Sequence, residues 1–187
     1  MSEAQLPRTR PESVDVLERA RRIAVVAFDV DGTLTDGRIH IGPGGEAMKS
    51  FYVRDGMGIA LLRRAGLHCA LITARESAIV ERRAAELGID DVMQGVARKA
   101  EALARLAERA GVTVDRIAYM GDDWPDLPAL RRAGLAAAPA GAPPEIIERV
   151  HWVSQRPAGA GAARDFAEFI LRAQGRWEGL LEAQERQ

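Results

Sequence analysis

Residues 23–37 read IAVVAFDVDGTLTDG, a run of apolar β-formers that ends abruptly in Asp29-Val30-Asp31-Gly32-Thr33. A short apolar run bounded by a turn signal describes a buried strand. The spacing of two puts Asp29 at the last pleat and Asp31 in the turn, both directed into one crevice. Chance explains the pattern poorly, since at average residue usage the string DxDGT occurs in about one chain in five hundred of this length. Paired acids at a strand end suit phosphoryl transfer. The first can attack phosphorus as a carboxylate nucleophile, and the second can protonate the leaving oxygen and later activate water.

Outward from this strand, helical and strand-like runs alternate. Helices are expected over residues 14–22, 58–65, 76–87, 98–110, 127–133, 144–150 and 164–174. Strands are expected over 67–73, 91–94, 117–120 and 135–138, with a last edge strand beginning at Trp152. Gly66, Gly88 and Gly111 stand where helices should stop. This alternation predicts an α/β fold, a doubly wound, Rossmann-like parallel sheet with helices on both faces and its ligands at the carboxyl ends of the strands. Residues 38–53, RIHIGPGGEAMKSFYV, break the alternation as a β-hairpin around Pro43-Gly44-Gly45. Ile39, Ile41, Met48, Phe51 and Val53 are too many apolar residues for an isolated hairpin in water, so the hairpin is expected to meet another surface. The chain then divides into a polar N-terminal tail (1–12), a single domain (13–175) and a C-terminal tail (176–187) whose Trp177, Leu180 and Leu181 extend an apolar stripe.

A chain of 187 residues can bury a full core without disulfides or a structural metal. With 26 basic and 27 acidic residues the net charge is -1, which argues against nucleic-acid binding through bulk charge. No apolar run is long enough to span a membrane and the N-terminus lacks a signal pattern, so a soluble cytoplasmic protein is expected. Cys69 lies in an apolar run and reads as a buried, inert thiol. His40, His68 and His151 show no paired zinc spacing. All basic residues are arginine except Lys49 and Lys99. In so arginine-rich a chain, the two lysines are candidates for places that need a compact ammonium.

Further parts of a phosphatase follow the acid pair in order. Thr73 closes the strand LIT and can give a hydroxyl to a phosphate oxygen; Lys99 opens a helix and can supply a point charge. Gly121-Asp122-Asp123 ends the strand IAYM and can hold a hard cation. Two unit charges about 4 Å apart repel by about 4 kcal/mol at an effective dielectric of 20, so a crevice holding Asp29, Asp31, Asp122 and Asp123 calls for a cation. Oxygen ligands and an anionic substrate favour magnesium.

These residues resemble the haloacid-dehalogenase-like phosphatases, with DVDGT, Thr73, Lys99 and GDDWPD as the four motifs. More narrowly, DVDGTLTDG, the hairpin with KSFYVRDGMGI, ITAR, QGVARK and the Gly/Ala-rich loop before the last helix resemble the branch that hydrolyses 3-deoxy-D-manno-octulosonate 8-phosphate in lipopolysaccharide sugar synthesis. The resemblance implies Asp29 as nucleophile and Asp31 as general acid/base. It implies magnesium held by Asp29, the Asp31 main-chain carbonyl and Asp122, with Asp123 in support, and phosphate bound by Thr73 and Lys99. It also implies a homotetramer. The spacing between motifs leaves no room for a cap domain, so the crevice is expected to be roofed by neighbouring subunits packed through the hairpin. Lys49, Arg54 and Arg75 are candidates to grip the sugar acid. The chain departs from the branch at Ala74, where glycine is usual, and at Ala160, where the Gly-rich loop usually carries arginine. Arg156 and Arg164 are the candidates to replace that arginine. Two alternatives stay open: a phosphatase for a related nine-carbon sugar-acid phosphate, favoured less by the Arg54-Asp55-Gly56 sequence, and a phosphoacceptor signalling domain of the receiver type. A receiver carries its acid pair at the first strand and its acceptor at a later one. Here the first strand carries DxD and a distal strand carries Gly-Asp-Asp.

Overall fold

The apolar run of residues 23–28 forms β1 (Val25–Phe28), fully buried at the centre of a six-stranded parallel sheet. The computed structural model describes residues 14–89 and 91–186; the polar tail expected over residues 1–12 lies outside them. Around β1 stand β4 (His68–Ile72), β5 (Asp91–Met93), β6 (Ile117–Met120), β7 (Leu135–Ala140) and β8 (Trp152–Pro157), in the order β5-β4-β1-β6-β7-β8. Phe28 is level with Leu71 on one side and Met120 on the other, so these three strands end together and their following loops meet.

Alternation along β1 divides the core between two faces. Val26 and Phe28 join a cluster with α1 (Val14–Arg22), α2 (Val53–Arg64), α3 (Ala78–Leu87) and α7 (Ala162–Ala173), while Val25 and Ala27 join α4 (Lys99–Ala110), α5 (Leu127–Leu130) and α6 (Pro144–Ile147). This is the doubly wound arrangement that the sequence predicts. On the first face Phe28 meets Phe166 edge-on at 6.5 Å, and Trp152 stacks on Phe166 and Phe169 at 5.2 and 5.3 Å.

Most element boundaries fall within a few residues of expectation. The main exception is α2, which starts at Val53 rather than residue 58; the glycines at 56 and 58 lower helix propensity, but close packing overrides it. A Cβ at Gly58 would come within 2.9 Å of the Arg164 Cα. The C-terminal stretch is helical as well. Helix α8 (Trp177–Glu185) folds back onto its own chain: Trp177 and Leu180 pack against the core, and Arg164 and Arg172 lie over the Trp177 ring at 5.3 and 4.5 Å.

The hairpin forms as a separate two-stranded sheet, β2 (His40–Gly42) and β3 (Gly45–Met48). Its outer side is apolar and uncovered, with Ile39, Ile41 and Met48 exposed by 47%, 78% and 49%. Cys69 is buried and its thiol is pushed up to about 12 by desolvation, in keeping with an inert core residue. His68 bonds Asp91 at 2.6 Å and His151 accepts the Ala136 amide at 2.8 Å. No helix among the described residues is long and apolar enough to cross a membrane.

Candidate active site

Asp29 continues the β1–β6 ladder by one residue, its N–H donating to the Met120 carbonyl at 2.9 Å. The chain then wraps around the Val30 carbonyl, which accepts the amides of Thr33, Leu34 and Thr35 at 3.3, 2.9 and 3.0 Å. Gly32 turns with φ +92°, and a Cβ there would sit 2.1 Å from Asp122 Oδ2. Glycine is therefore required both by the backbone and by the carboxylate resting against it. Thr33 Oγ1 donates to Asp122 Oδ1 at 3.1 Å, joining the loops after β1 and β6.

Lys99, the first residue of α4, reaches into this crevice and is almost wholly buried. Its Nζ bridges Asp29 Oδ1 and Asp126 Oδ1, both at 2.6 Å. Asp126 Oδ1 also accepts the Tyr119 hydroxyl at 2.6 Å, and Oδ2 accepts the amides of Asp122 and Asp123 at 3.1 and 3.2 Å. Carboxylate oxygens of Asp29, Asp122 and Asp126 all lie within 4.8 Å of one another. Burial first, then the charge of Asp126, push Asp29 up to about 7 against the pull of Lys99. Burial and Asp126 likewise push Asp122 up to about 6, opposed by the Thr33 hydrogen bond. Burial works against the Lys99 ammonium, but Asp29 and Asp126 hold its pKa above the usual lysine value. Burial and Asp126 raise Tyr119 well above its ordinary range, so it stays a donor.

Asp31 stands in different company. Lys49, at the foot of β3, donates to Asp31 Oδ1 and lies 2.9 Å from Glu46 Oε1. The Arg75 guanidinium is 3.9 Å from Asp31 Oδ2 and 3.8 Å from Glu46 Oε1. Burial disfavours the Lys49 ammonium, yet bonding to Asp31 and Glu46 raises its pKa above the ordinary value. The chain's two lysines thus each hold one acid of the DxD pair. A compact ammonium fits between two carboxylates where a planar guanidinium would not.

Thr73 is buried at the end of β4 with its main chain engaged, its N–H on Met93 O and its carbonyl accepting Val96 N at 2.9 and 3.0 Å; the hydroxyl is what it has to offer a ligand. Arg75 is half-exposed beside Asp31. Arg54 is exposed on the first turn of α2. The Asp123 carboxylate caps the turn that follows, accepting the Trp124 amide at 2.8 Å, and the third acid packed with Asp29 and Asp122 is Asp126. Sequence reasoning passed over Asp126, although Asp123 and Asp126 have the spacing of a capping box, which they form. It also passed over Glu46, which only the folded hairpin brings to the site. The C-terminal loop braces the DxD loop: Gly159 N donates to Thr33 O at 3.1 Å, and a Cβ at Gly159 would come within 2.6 Å of the Asp36 amide nitrogen. Of the two arginines near that loop, Arg164 is engaged with Glu168 at 2.6 Å and with the Trp177 ring. Arg156 is exposed, its stem beside Gly161.

Residues 46–134 match the haloacid dehalogenase-like hydrolase family. The chain is 40% identical over 166 residues to the Escherichia coli K12 3-deoxy-D-manno-octulosonate 8-phosphate phosphatase KdsC, covering 89% of this chain and 88% of that one. A solved phosphatase of the same name from Moraxella catarrhalis, in complex with magnesium, phosphate and KDO, superposes with a TM-score of 0.88 at 37% identity, covering 90% of this chain and 97% of that one. The cobalt-bound Haemophilus influenzae enzyme gives a TM-score of 0.83 at 43% identity, covering 84% and 92%. With this identity spread over nearly the whole length and the same sheet beneath it, the chain belongs to the haloacid dehalogenase-like hydrolases.

Proposed function

We propose that this chain is a magnesium-dependent phosphomonoesterase that hydrolyses 3-deoxy-D-manno-octulosonate 8-phosphate through an aspartyl-phosphate at Asp29. The observation that carries the reading is the separation of the two acids: Asp29 faces Lys99 and the buried acids, whereas Asp31 faces Lys49 and the hairpin. Paired groups in unlike surroundings are what a nucleophile and an acid/base require. The sugar acid is supported by the identity to phosphatases of that substrate across most of the chain.

The donor set fits a hard divalent cation. Asp29 and Asp122 are crowded carboxylates whose pKa values are raised by burial and by Asp126, and a cation would relieve that crowding. Asp126 has four donors on its two oxygens already, so it organises the site rather than supplying a ligand. Asp29 and Asp122 would hold magnesium with the Asp31 main-chain carbonyl, and Asp123 would support from outside. When bound, magnesium neutralises the phosphate and keeps the Asp29 carboxylate ionised.

A carboxylate oxygen of Asp29 attacks phosphorus as the bond from phosphorus to the sugar oxygen breaks. Asp31 gives its proton to that oxygen. Asp31 then takes a proton from water, whose oxygen attacks phosphorus, and the Asp29 acyl-phosphate bond cleaves to release inorganic phosphate. Lys99 and the Thr73 hydroxyl bind the phosphoryl oxygens, and Arg75, Arg54 and Arg156 are the cations available to the sugar carboxylate. Lys49, a sequence candidate for that contact, is engaged by Asp31 and Glu46 instead. The exposed apolar side of the hairpin supports a homotetramer in which neighbours cover the crevice, and a phosphorylated sugar acid as substrate supports a cytoplasmic location.

The test is phosphate release from a panel of eight- and nine-carbon sugar-acid phosphates with magnesium, scored by kcat/KM. The octulosonate 8-phosphate should lead. Equal rates across the panel would remove the substrate assignment, and single labelling without turnover would favour a receiver. Turnover by Asp29→Asn at the wild-type rate would remove the mechanism itself.

A further inference from the structure

The hairpin's inner side forms a chain of polar contacts from the catalytic loop to the body of the domain. Asp31 Oδ1 accepts from Lys49 Nζ, Lys49 lies 2.9 Å from Glu46 Oε1, and Glu46 Oε2 accepts from the Ser77 hydroxyl. Ser77 is the N-cap of α3, and its amide is anchored on Gln94 Oε1 at 2.8 Å. The lysine side chain is 1% exposed. These contacts make the two oxygens of Asp31 unlike. Oδ1 carries the ammonium, whereas Oδ2 is buried and has no hydrogen-bond partner among the described residues, its nearest cation being Arg75 Nε at 3.9 Å.

A lysine on a flexible four-carbon stem does not by itself fix a carboxylate. Glu46 gives Lys49 a second anchor, and Ser77 ties Glu46 to the rigid start of a helix. We infer that Glu46 is a positioning residue for proton transfer: acting through Lys49, it holds the Asp31 carboxylate in one orientation toward the leaving oxygen. The inference rests on Asp31 being the acid/base. In the first step the proton passes from Asp31 to the leaving oxygen as its bond to phosphorus breaks; in the second, Asp31 recovers a proton from the attacking water. A carboxylate free to rotate would present either oxygen and lose alignment.

The test compares two phosphate esters that carry no sugar groups. Propyl phosphate needs its leaving oxygen protonated, while 4-nitrophenyl phosphate needs this little, and kcat/KM reports the first chemical step for both. Partial loss of an aligned general acid should lower Glu46→Gln by about 30-fold on propyl phosphate and by about 3-fold or less on 4-nitrophenyl phosphate. Lys49→Met should show the same split, the double variant should be no worse than Lys49→Met alone, and Glu46→Asp should recover part of the loss. Equal losses on both esters would mean a merely structural role and overturn the inference. So would no loss on either, which is the result expected if Glu46 serves only to touch the sugar. If Glu46→Gln does not fold, Glu46→Asp and Lys49→Met decide by the same split. Asp31→Asn separates the levels: if it splits the esters and the Glu46 and Lys49 variants do not, only the positioning role falls; if it does not split them, the acid/base assignment falls as well.

Discussion

Asp29 and Asp31 stand two residues apart, yet the fold holds them by different means. Asp29 is gripped from within, by Lys99 at the start of α4, itself held by Asp126 beyond β6, elements that belong to the sheet and its crossovers. Asp31 is gripped from outside, by Lys49 of an inserted hairpin, itself held by Glu46. A group held by the sheet inherits the rigidity of a close-packed core. One held by a two-stranded insertion depends on the anchoring of that insertion, since a lone hairpin is marginal in water. The proposed nucleophile is thus built into the architecture, while the proposed proton-transferring group depends on the feature that also exposes the apolar surface.

This contrast is broken most severely from the inside. Lys99→Met leaves Asp29 and Asp126 buried and uncompensated, and should cost about 3–5 kcal/mol of unfolding free energy. Urea denaturation followed by circular dichroism measures this; a loss below about 1 kcal/mol would mean that the inner clamp is not what holds the two acids. An intermediate effect is expected where the inner region meets the proposed metal ligands. Gly32→Ala drives a Cβ against Asp122 and should raise the magnesium concentration for half-maximal activity about 10-fold or more. A magnesium titration unchanged from wild type would separate the Gly32 turn from metal binding. The smallest effect on stability belongs to the outer edge. Ile41→Asp touches no buried contact and should change stability by about 0.5 kcal/mol or less while lowering the molar mass seen by light scattering. An unchanged molar mass would show that assembly does not use this face.

The reach of the sequence differs between the same two regions. DxDGT, Thr73 and Gly-Asp-Asp were legible because each falls at the end of a strand, and a parallel sheet collects strand ends at one edge; Lys99 was legible as the opening residue of a helix on that edge. The scarcity of lysine pointed to Lys49 and Lys99 without saying what they touch. Asp126 was hidden in its own motif, because a carboxylate at the third position of a turn reads as a cap until Lys99 and Tyr119 are seen bonded to it. Glu46 could not be found from spacing: it lies fifteen residues from Asp31 in sequence, and only the folded hairpin carries it, with Lys49, to the DxD loop. The brace of Gly159 on Thr33 spans a still longer separation.

By itself, then, the sequence determined the layered fold, the strand-end position of the two acids and the oxygen-rich character of the crevice. These follow from hydrophobic period and residue chemistry, which are local properties of the chain. Only the tertiary structure decided that Asp126 is the organising acid, that Lys49 serves Asp31, and that Glu46 and the C-terminal loop support the DxD loop. Those contacts join segments far apart in sequence, and their geometry comes from how helices and hairpin pack around the sheet.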